Sequence, residues 1–265
     1  MKIGILSKRT TMFTGKMKDF FENLGNSVKI YTAENLCVNN SLFENDFYIM
    51  KSKQLNFLYA GYYLVENNIV VIPNPEISRK HKDRLEAHFL IKNANLFYPQ
   101  IYLGTLEALQ NNLKETDFPL ITKPLMGSGS KGVKIINSFK DLNSLKNDVI
   151  YLEQFINGTH YIVYFISDEI CSLEKLPLKN EHSKMKKINT TKDIEEVVIK
   201  WKTKYNLLFG HLDIVREEKT NKLIVVDPGS FPEFSNWQCN GDPVSKICNL
   251  ILEEYKKLKL EYLKV

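Results

Sequence analysis

Two stretches of the chain bring together residue types suited to anion and metal chemistry. In Lys123-Pro-Leu-Met-Gly-Ser-Gly-Ser-Lys-Gly-Val133 a lysine closes an apolar run, a glycine-serine loop follows, and a second lysine precedes another apolar run. Glycines let backbone N–H groups point inward, Ser128 and Ser130 add hydroxyl donors, and Lys123 and Lys131 supply charge on either side, so the loop could close over phosphates. It is not a P-loop, because no GK[ST] follows a four-residue gap. Nor is it the GxGxxG of a dinucleotide fold, because a strand comes next. Taken alone, a Gly/Ser segment is more often a plain flexible turn.

The second stretch is a hairpin in which Leu212-Asp-Ile-Val-Arg216 and Leu223-Ile-Val-Val-Asp227 flank a polar turn. A loop at Lys219-Thr220-Asn221 opposes Val215 to Val225 and Asp213 to Asp227. Carboxylates opposed with Cβ atoms about 4.5–5.5 Å apart repel unless a cation sits between them, and for oxygen ligands Mg2+ or Mn2+ suits better than zinc. A two-residue turn would send the acids to opposite faces, and two solvated acids on an exposed hairpin are the alternative. A third stretch, Tyr151-Leu-Glu-Gln-Phe-Ile-Asn-Gly158, is a strand with a polar exit whose backbone could read an adenine edge; an ordinary buried strand has the same sequence. The most basic segment, Lys175 to Lys187, is either a clamp for an anionic substrate or a solvated lid. His81, His88, His182 and His211 lack metal-ligand spacing, although His211 sits close to Asp213; Trp201 reads as core and Trp237 as loop cover.

The elements that must position these residues follow from periodicity. Strands are expected at Lys2–Leu6, Ser27–Tyr31, Phe47–Met50 and Ile69–Ile72, with an amphipathic helix stopped at Leu24-Gly25 and another ending near Glu66. Strand, helix, strand at this spacing implies a parallel βαβ unit. After a helix over Lys82–Asn93 the texture changes. Strands are expected at 120–123, 133–136, 150–154 and 161–166, with a helix at 139–146, a helix at 193–205, a hairpin at 212–227 and a closing helix at 244–260. This gives an α/β chain with domains at 1–95, 96–170 and 171–265.

Composition bounds the function. The 265 residues carry 36 Lys+Arg against 31 Asp+Glu, a net +5 that suits an anionic small ligand and lacks the basic tract of a nucleic-acid binder. Only Arg9, Arg79, Arg84 and Arg216 are arginines, so most positive charge is lysine. Cys37, Cys171, Cys239 and Cys248 form no CxxC pair, which predicts reduced thiols. No apolar h-region opens the chain and no window approaches the ~18 apolar residues of a membrane span, so a cytoplasmic protein without membrane contact is expected.

In their order along the chain, the phosphate loop, adenine-type strand, basic segment and paired acids before Phe231-Pro232 resemble the ATP-grasp superfamily, from about Ile77 to Phe234. The resemblance is closest to RimK-type carboxylate–amine ligases and to the inositol polyphosphate kinases of the same fold. It implies a Rossmann-like N-terminal α/β domain followed by two α+β subdomains enclosing ATP. It further implies that Lys123, Ser128, Gly129, Ser130, Lys131 and Gly132 surround the phosphates, that the backbone of Glu153, Gln154, Phe155 and Ile156 takes the adenine, and that His160 stands at the ribose position. Asp83-Arg84 matches the pair that opens the preceding helix, which adds Arg84 to the nucleotide set. Asp213 and Asp227 would hold Mg2+ or Mn2+.

Three positions depart from the family pattern. Gly229 replaces a metal-ligating Asn, which leaves Ser230, water or phosphate oxygen to complete the ligands. Ile162 replaces a basic residue after the hinge, so Lys175 is the candidate for the γ-phosphate, joining Lys131 as a catalytic cation. His160 replaces an Asp. The resemblance implies an ATP-dependent ligase acting on an anionic small molecule, an amino acid, a peptide or a phosphorylated polyol; charge and hydropathy point to no nucleic-acid or membrane partner, and a chain of this size leaves a homodimer open. The alternative is a kinase for an inositol phosphate, favoured by Asp227 where ligases have Glu and by Phe231-Pro232. The third is a nucleotide-binding protein without turnover.

Overall fold

Short β-branched runs alternating with amphipathic helices give the first 72 residues a parallel sheet. Its strands are β1 (Lys2–Leu6), β2 (Ser27–Tyr31), β3 (Phe47–Met50) and β4 (Val70–Ile72), in the spatial order β2-β1-β3-β4. The structure is a computed structural model that describes residues 1–127, 132–146, 148–176 and 185–262. Helix α1 (Met12–Asn23) starts at a capping box between Thr11 and Thr14 and stops at Gly25, whose φ of 77° is the left-handed conformation that glycine adopts freely. Helix α2 is Leu55–Glu66. Phe13, Met17 and Phe21, one helical turn apart, bury one face of α1, each contributing about 1.5–3 kcal/mol of apolar burial.

The closing helix α8 (Pro243–Tyr262) does not stay with the last sheet. It packs against α1, and Ile247, Ile251 and Tyr255 share a core with Ile3 and Ile5. The same core takes in Ile162, Tyr164 and Leu173 of the third sheet, so the N-terminal and C-terminal units are joined by packing.

Helices α3 (Pro75–Lys80) and α4 (Arg84–Asn93) lead into an antiparallel sheet of order β5-β8-β6-β7, made of β5 (Ile101–Gly104), β6 (Leu120–Thr122), β7 (Lys134–Ile136) and β8 (Ile150–Gln154). Helices α5 (Leu106–Asn112) and α6 (Phe139–Leu142) accompany it. The third sheet, order β11-β10-β9-β12-β13, comprises β9 (Gly158–Ile166), β10 (Glu169–Lys175), β11 (Lys186–Lys187), β12 (Phe209–Glu217) and β13 (Leu223–Gly229), with α7 (Lys192–Lys204) on one face. Trp201, fully buried, anchors α7 there beside Val163, Phe165 and Leu212.

Several expectations change. β5, α3 and α5 are additional elements; β5 is a four-residue edge strand paired only with β8, too short for a periodic signal. Helix α6 ends at Leu142 rather than at 146, where Asn143 and Ser144 favour turns over helix. A boundary at 170 would part β9 from β10, which pair along seven positions; the change of sheet comes between β8 and β9. Cys171 and Cys239 are disulfide-bonded with Cα atoms 5.8 Å apart, against the expectation of four reduced thiols. Their separation of 68 residues hides the pairing from any local motif. Cys37 and Cys248 are free.

Candidate active site

The two acids of the hairpin meet for a different reason than loop length. The loop closes with the Glu217 amide donating to the Lys222 carbonyl, one residue longer than expected. Arg216 then pairs with Leu223, Val215 with Ile224 and Ile214 with Val225, not Val215 with Val225. In that register Asp213 would face Val226. The register shifts between Asp213 and Ile214, leaving Val226 as the extra residue and bringing Asp213 opposite Asp227. Such bulges re-aim side chains, and this one puts both carboxylates on one face of the sheet.

That face also carries His160 and Ile162 of β9, since Ile162 pairs with both Asp213 and Leu173 and His160 with Lys175. The Lys175 ammonium lies 2.9 Å from Asp213 Oδ2, which brings the basic residue expected for the γ-phosphate to the acid. Asp213 Oδ1 is buried without a hydrogen-bond partner. Burial lowers the His160 pKa and Lys175 lowers it further, against the pull of Asp213. Ile162 is buried in the core, so no cation stands at its position.

Asp227 has its own partner. Arg84, at the first turn of α4, ion-pairs with Asp227 Oδ1. Burial alone would raise the Asp227 pKa, but Arg84, Lys123, His211 and Lys53 together hold it below the usual carboxylate range. The start of α4 is fixed twice. Asp83 caps the helix by accepting from the Leu85 and Glu86 amides, and the Arg84 amide donates to the Leu125 carbonyl. Arg84 is thereby tied to the strand end that leads into the glycine-serine loop. Of that loop, Ser128, Gly129, Ser130 and Lys131 lie outside the described residues, as do residues 177–184 of the basic segment. Gly132 has φ 77° and lies against Pro124.

Lys123 leaves β6 and donates to Glu153 Oε2 at 2.5 Å and to the Val226 carbonyl at 3.0 Å, so it links β8 to the bulge. Tyr151 donates to the other oxygen of Glu153 at 2.8 Å. Glu153 is thus a buried side-chain anchor as well as part of the strand exit. The Gln154 and Phe155 amides donate to the Gln100 and Pro119 carbonyls, so those two N–H groups are not open to an adenine, and the expectation rests on the Ile156 amide and the carbonyl oxygens of the segment.

Gly229 pairs with His211, and a Cβ there would come within 1.9 Å of the His211 ring. The imidazole therefore fills the space where the family pattern has an Asn side chain. Burial lowers the His211 pKa despite Asp213 and Asp227 nearby. Among the described residues no group of three or more His, Cys, Asp or Glu is placed to hold a metal. The two opposed carboxylates, with one unpartnered oxygen, fit an ion whose remaining ligands are water and phosphate oxygens, the usual arrangement for Mg2+ beside a nucleotide.

Sequence reasoning missed Lys51, Lys53 and His81. Lys51 and Lys53 follow β3, where the end of a parallel strand was the available signal. Lys51 donates to the Phe231 and Pro232 carbonyls and pairs with Glu233, fastening the segment after β13 to the N-terminal sheet. His81, stacked on Trp201, gave no signal in spacing.

Comparisons with known proteins bear on the fold and the matched domain. Residues 81–203 match a family model described as an ATP-grasp domain. The chain resembles the crystal structure of a RimK domain ATP-grasp protein from Sphaerobacter thermophilus, with TM-score 0.77 and 11% identity over 94% of this chain and 98% of that one. It also resembles D-alanine–D-alanine ligase from Bacillus anthracis, with TM-score 0.71 and 16% identity over 99% of each chain. In sequence it is 32% identical over 130 residues to a formate-dependent phosphoribosylglycinamide formyltransferase of Prochlorococcus marinus, covering 43% of this chain and 32% of that protein. The chain thus spans about a third of that relative's length. Among the described residues no helix is long and apolar enough to cross a membrane.

Proposed function

We propose that this chain, an ATP-grasp protein by its fold and its matched domain, is an ATP- and Mg2+-dependent ligase that activates a substrate carboxylate and joins it to an amine. The observation that carries the reading is the bulge that opposes Asp213 to Asp227, with Arg84, Lys123 and Lys175 converging there from three different elements. In the proposed reaction a carboxylate oxygen of the substrate attacks the γ-phosphorus, ADP leaves, and an amine then attacks the acyl carbon, losing a proton as inorganic phosphate departs. Phosphoryl transfer asks the protein mainly to position groups and neutralise charge. Mg2+ would supply the neutralising charge, held by Asp213 and Asp227.

The residues divide the rest. Lys175 can leave Asp213 for a phosphate oxygen, since both side chains are one-fifth exposed. Lys123 stays fixed by Glu153 and the Val226 carbonyl, and orients the strand that bears Asp227. The Ile156 amide and the carbonyls of Glu153 to Ile156 would take the adenine, and the glycine-serine loop, including Lys131, would supply donors to the phosphates. The test is ADP release against amino acids, small peptides and inositol phosphates, with and without hydroxylamine. A hydroxamate formed with an amino acid or peptide is expected. ADP release with an inositol phosphate and no hydroxamate from any carboxylate would overturn the ligase in favour of a kinase.

A further inference from the structure

In an open parallel sheet a ligand crevice forms at the carboxyl ends of the strands where the connections reverse direction. In the order β2-β1-β3-β4 the chain leaves β1 to one side for β2 and returns to the other for β3, so the reversal lies between β1 and β3. The residues just past those ends are Ser7-Lys8-Arg9 and Lys51-Ser52-Lys53. Lys82, in the α3–α4 turn, and Arg84, which opens α4, lie near enough to act on the Lys53 charge. These cations act on one another: Lys51, Lys82 and Arg84 repel the charge on Lys53, while Arg84 and Lys8 repel that on Lys82.

The local balance lacks an anion. Asp227 is the acid acting on Lys53, and it is already ion-paired to Arg84. Lys51 is occupied by the Phe231 and Pro232 carbonyls and Glu233. Among the described residues neither Lys53 nor Lys82 has a side-chain hydrogen bond or ion pair. Burial pushes the Lys53 ammonium down to about 8, so it is held charged at neutral pH against desolvation and like charges. Two further groups are buried and unsatisfied here. Arg84 Nε has no partner, and both ring nitrogens of His81, a side chain on which Lys53 and Asp227 act, are also unpartnered. A buried donor without a partner is destabilising, and Arg84 Nε is one such donor beside this crevice.

We propose that Lys53 and Lys82 at this crevice, beside the Arg84–Asp227 pair, bind an anionic group of the substrate other than the carboxylate being activated, so that the enzyme selects a multiply anionic small molecule, a dicarboxylate or a phosphorylated acid. The proposal rests on the ligase reading for its place in catalysis, whereas the anion site itself is tested without turnover. The full nucleotide-free chain is titrated calorimetrically with succinate, inorganic phosphate and acetate. Succinate or phosphate is expected to bind at least about tenfold more tightly than acetate, with the preference lost in Lys53→Met and kept within about threefold in Lys53→Arg. A stronger response to succinate identifies a second carboxylate as the group bound, and a stronger response to phosphate identifies a phosphoryl group. Lys80→Met, on the exposed α3 pair with Glu76, is expected to change nothing. Because Lys53→Met removes a partly buried charge without an ion-pair partner, its melting temperature is expected to equal or exceed that of the parent, which separates lost binding from lost folding. Equal weak binding of all three anions, or an unchanged preference in Lys53→Met, would overturn the proposal. No nucleotide enters this titration, so its failure would leave the hydroxylamine result standing, and the reverse also holds.

Discussion

The two sheets that face the site hold their charged residues differently. In the central sheet Lys123 and Glu153 are less than a tenth exposed, and each has a further partner in the Val226 carbonyl or the Tyr151 hydroxyl. In the C-terminal sheet Lys175 and Asp213 are one-fifth exposed and one Asp213 oxygen has no partner. A satisfied buried pair is rigid and costly to break, whereas a partly exposed, half-satisfied pair can trade its lysine for a metal ion or a phosphate. On the proposed reading the central sheet is the fixed wall, and the C-terminal sheet carries the groups that would change partners.

The largest effect should follow from breaking the fixed wall. Glu153→Gln leaves the Lys123 charge buried and is expected to cost about 3–5 kcal/mol in denaturant unfolding. A loss under about 1 kcal/mol, the range of surface pairs, would show that the two sheets do not differ in this way. Lys175→Met should act in the opposite manner. Stability should change little, while kcat for ADP formation falls about 100-fold and ATP affinity moves less than threefold, as for a group whose charge acts in the transition state. Equal losses in kcat and affinity would return Lys175 to ground-state binding.

Gly229→Asn sharpens the comparison inside the C-terminal sheet. Restoring the residue typical of the family would tighten metal binding if the position were empty, but His211 fills it. The variant is expected to lose about 1–3 kcal/mol by overpacking, with no gain in metal affinity, and His211→Ala in the same chain should recover part of that stability. A tighter metal titration in the single variant would mean that His211 yields the space. The smallest effect belongs to the outer surface of the same sheet. The Arg216 hydrogen bond is the main cause holding the Asp193 carboxyl down at about 2. Because its folded pKa is depressed, the stabilisation is present above about pH 4 and is lost as pH falls toward 2. Asp193 is half-exposed, so Asp193→Asn should cost under about 1 kcal/mol at pH 7 and only a small fraction of that at pH 2, readable in paired melts.

Much of this architecture is legible in the residues themselves. Alternating apolar runs mark β1 to β4, a glycine marks the end of α1, and the lysine-flanked glycine-serine loop marks the β6–β7 connection. The opposition of Asp213 and Asp227 is also readable, but through a three-residue loop that does not occur. A longer loop and a bulge at Val226 reach the same alignment, and a bulge has no signature in a run of Leu-Ile-Val-Val. Arg84 on Asp227, Lys53 near both and Cys171 bonded to Cys239 depend on packing between segments far apart in sequence. No periodicity reports such contacts. The same holds for α8, whose amphipathic pattern shows that it packs but not that it packs on the first sheet.

The central claim is that Asp213 and Asp227 hold a magnesium ion only together with a nucleotide. Calorimetric titration of ADP with and without Mg2+ into the parent chain and Asp227→Asn tests it most directly. Magnesium is expected to tighten ADP binding by at least about tenfold in the parent and to leave it unchanged in the variant, with similar magnesium-free affinities. The same magnesium dependence in both proteins would contradict the account.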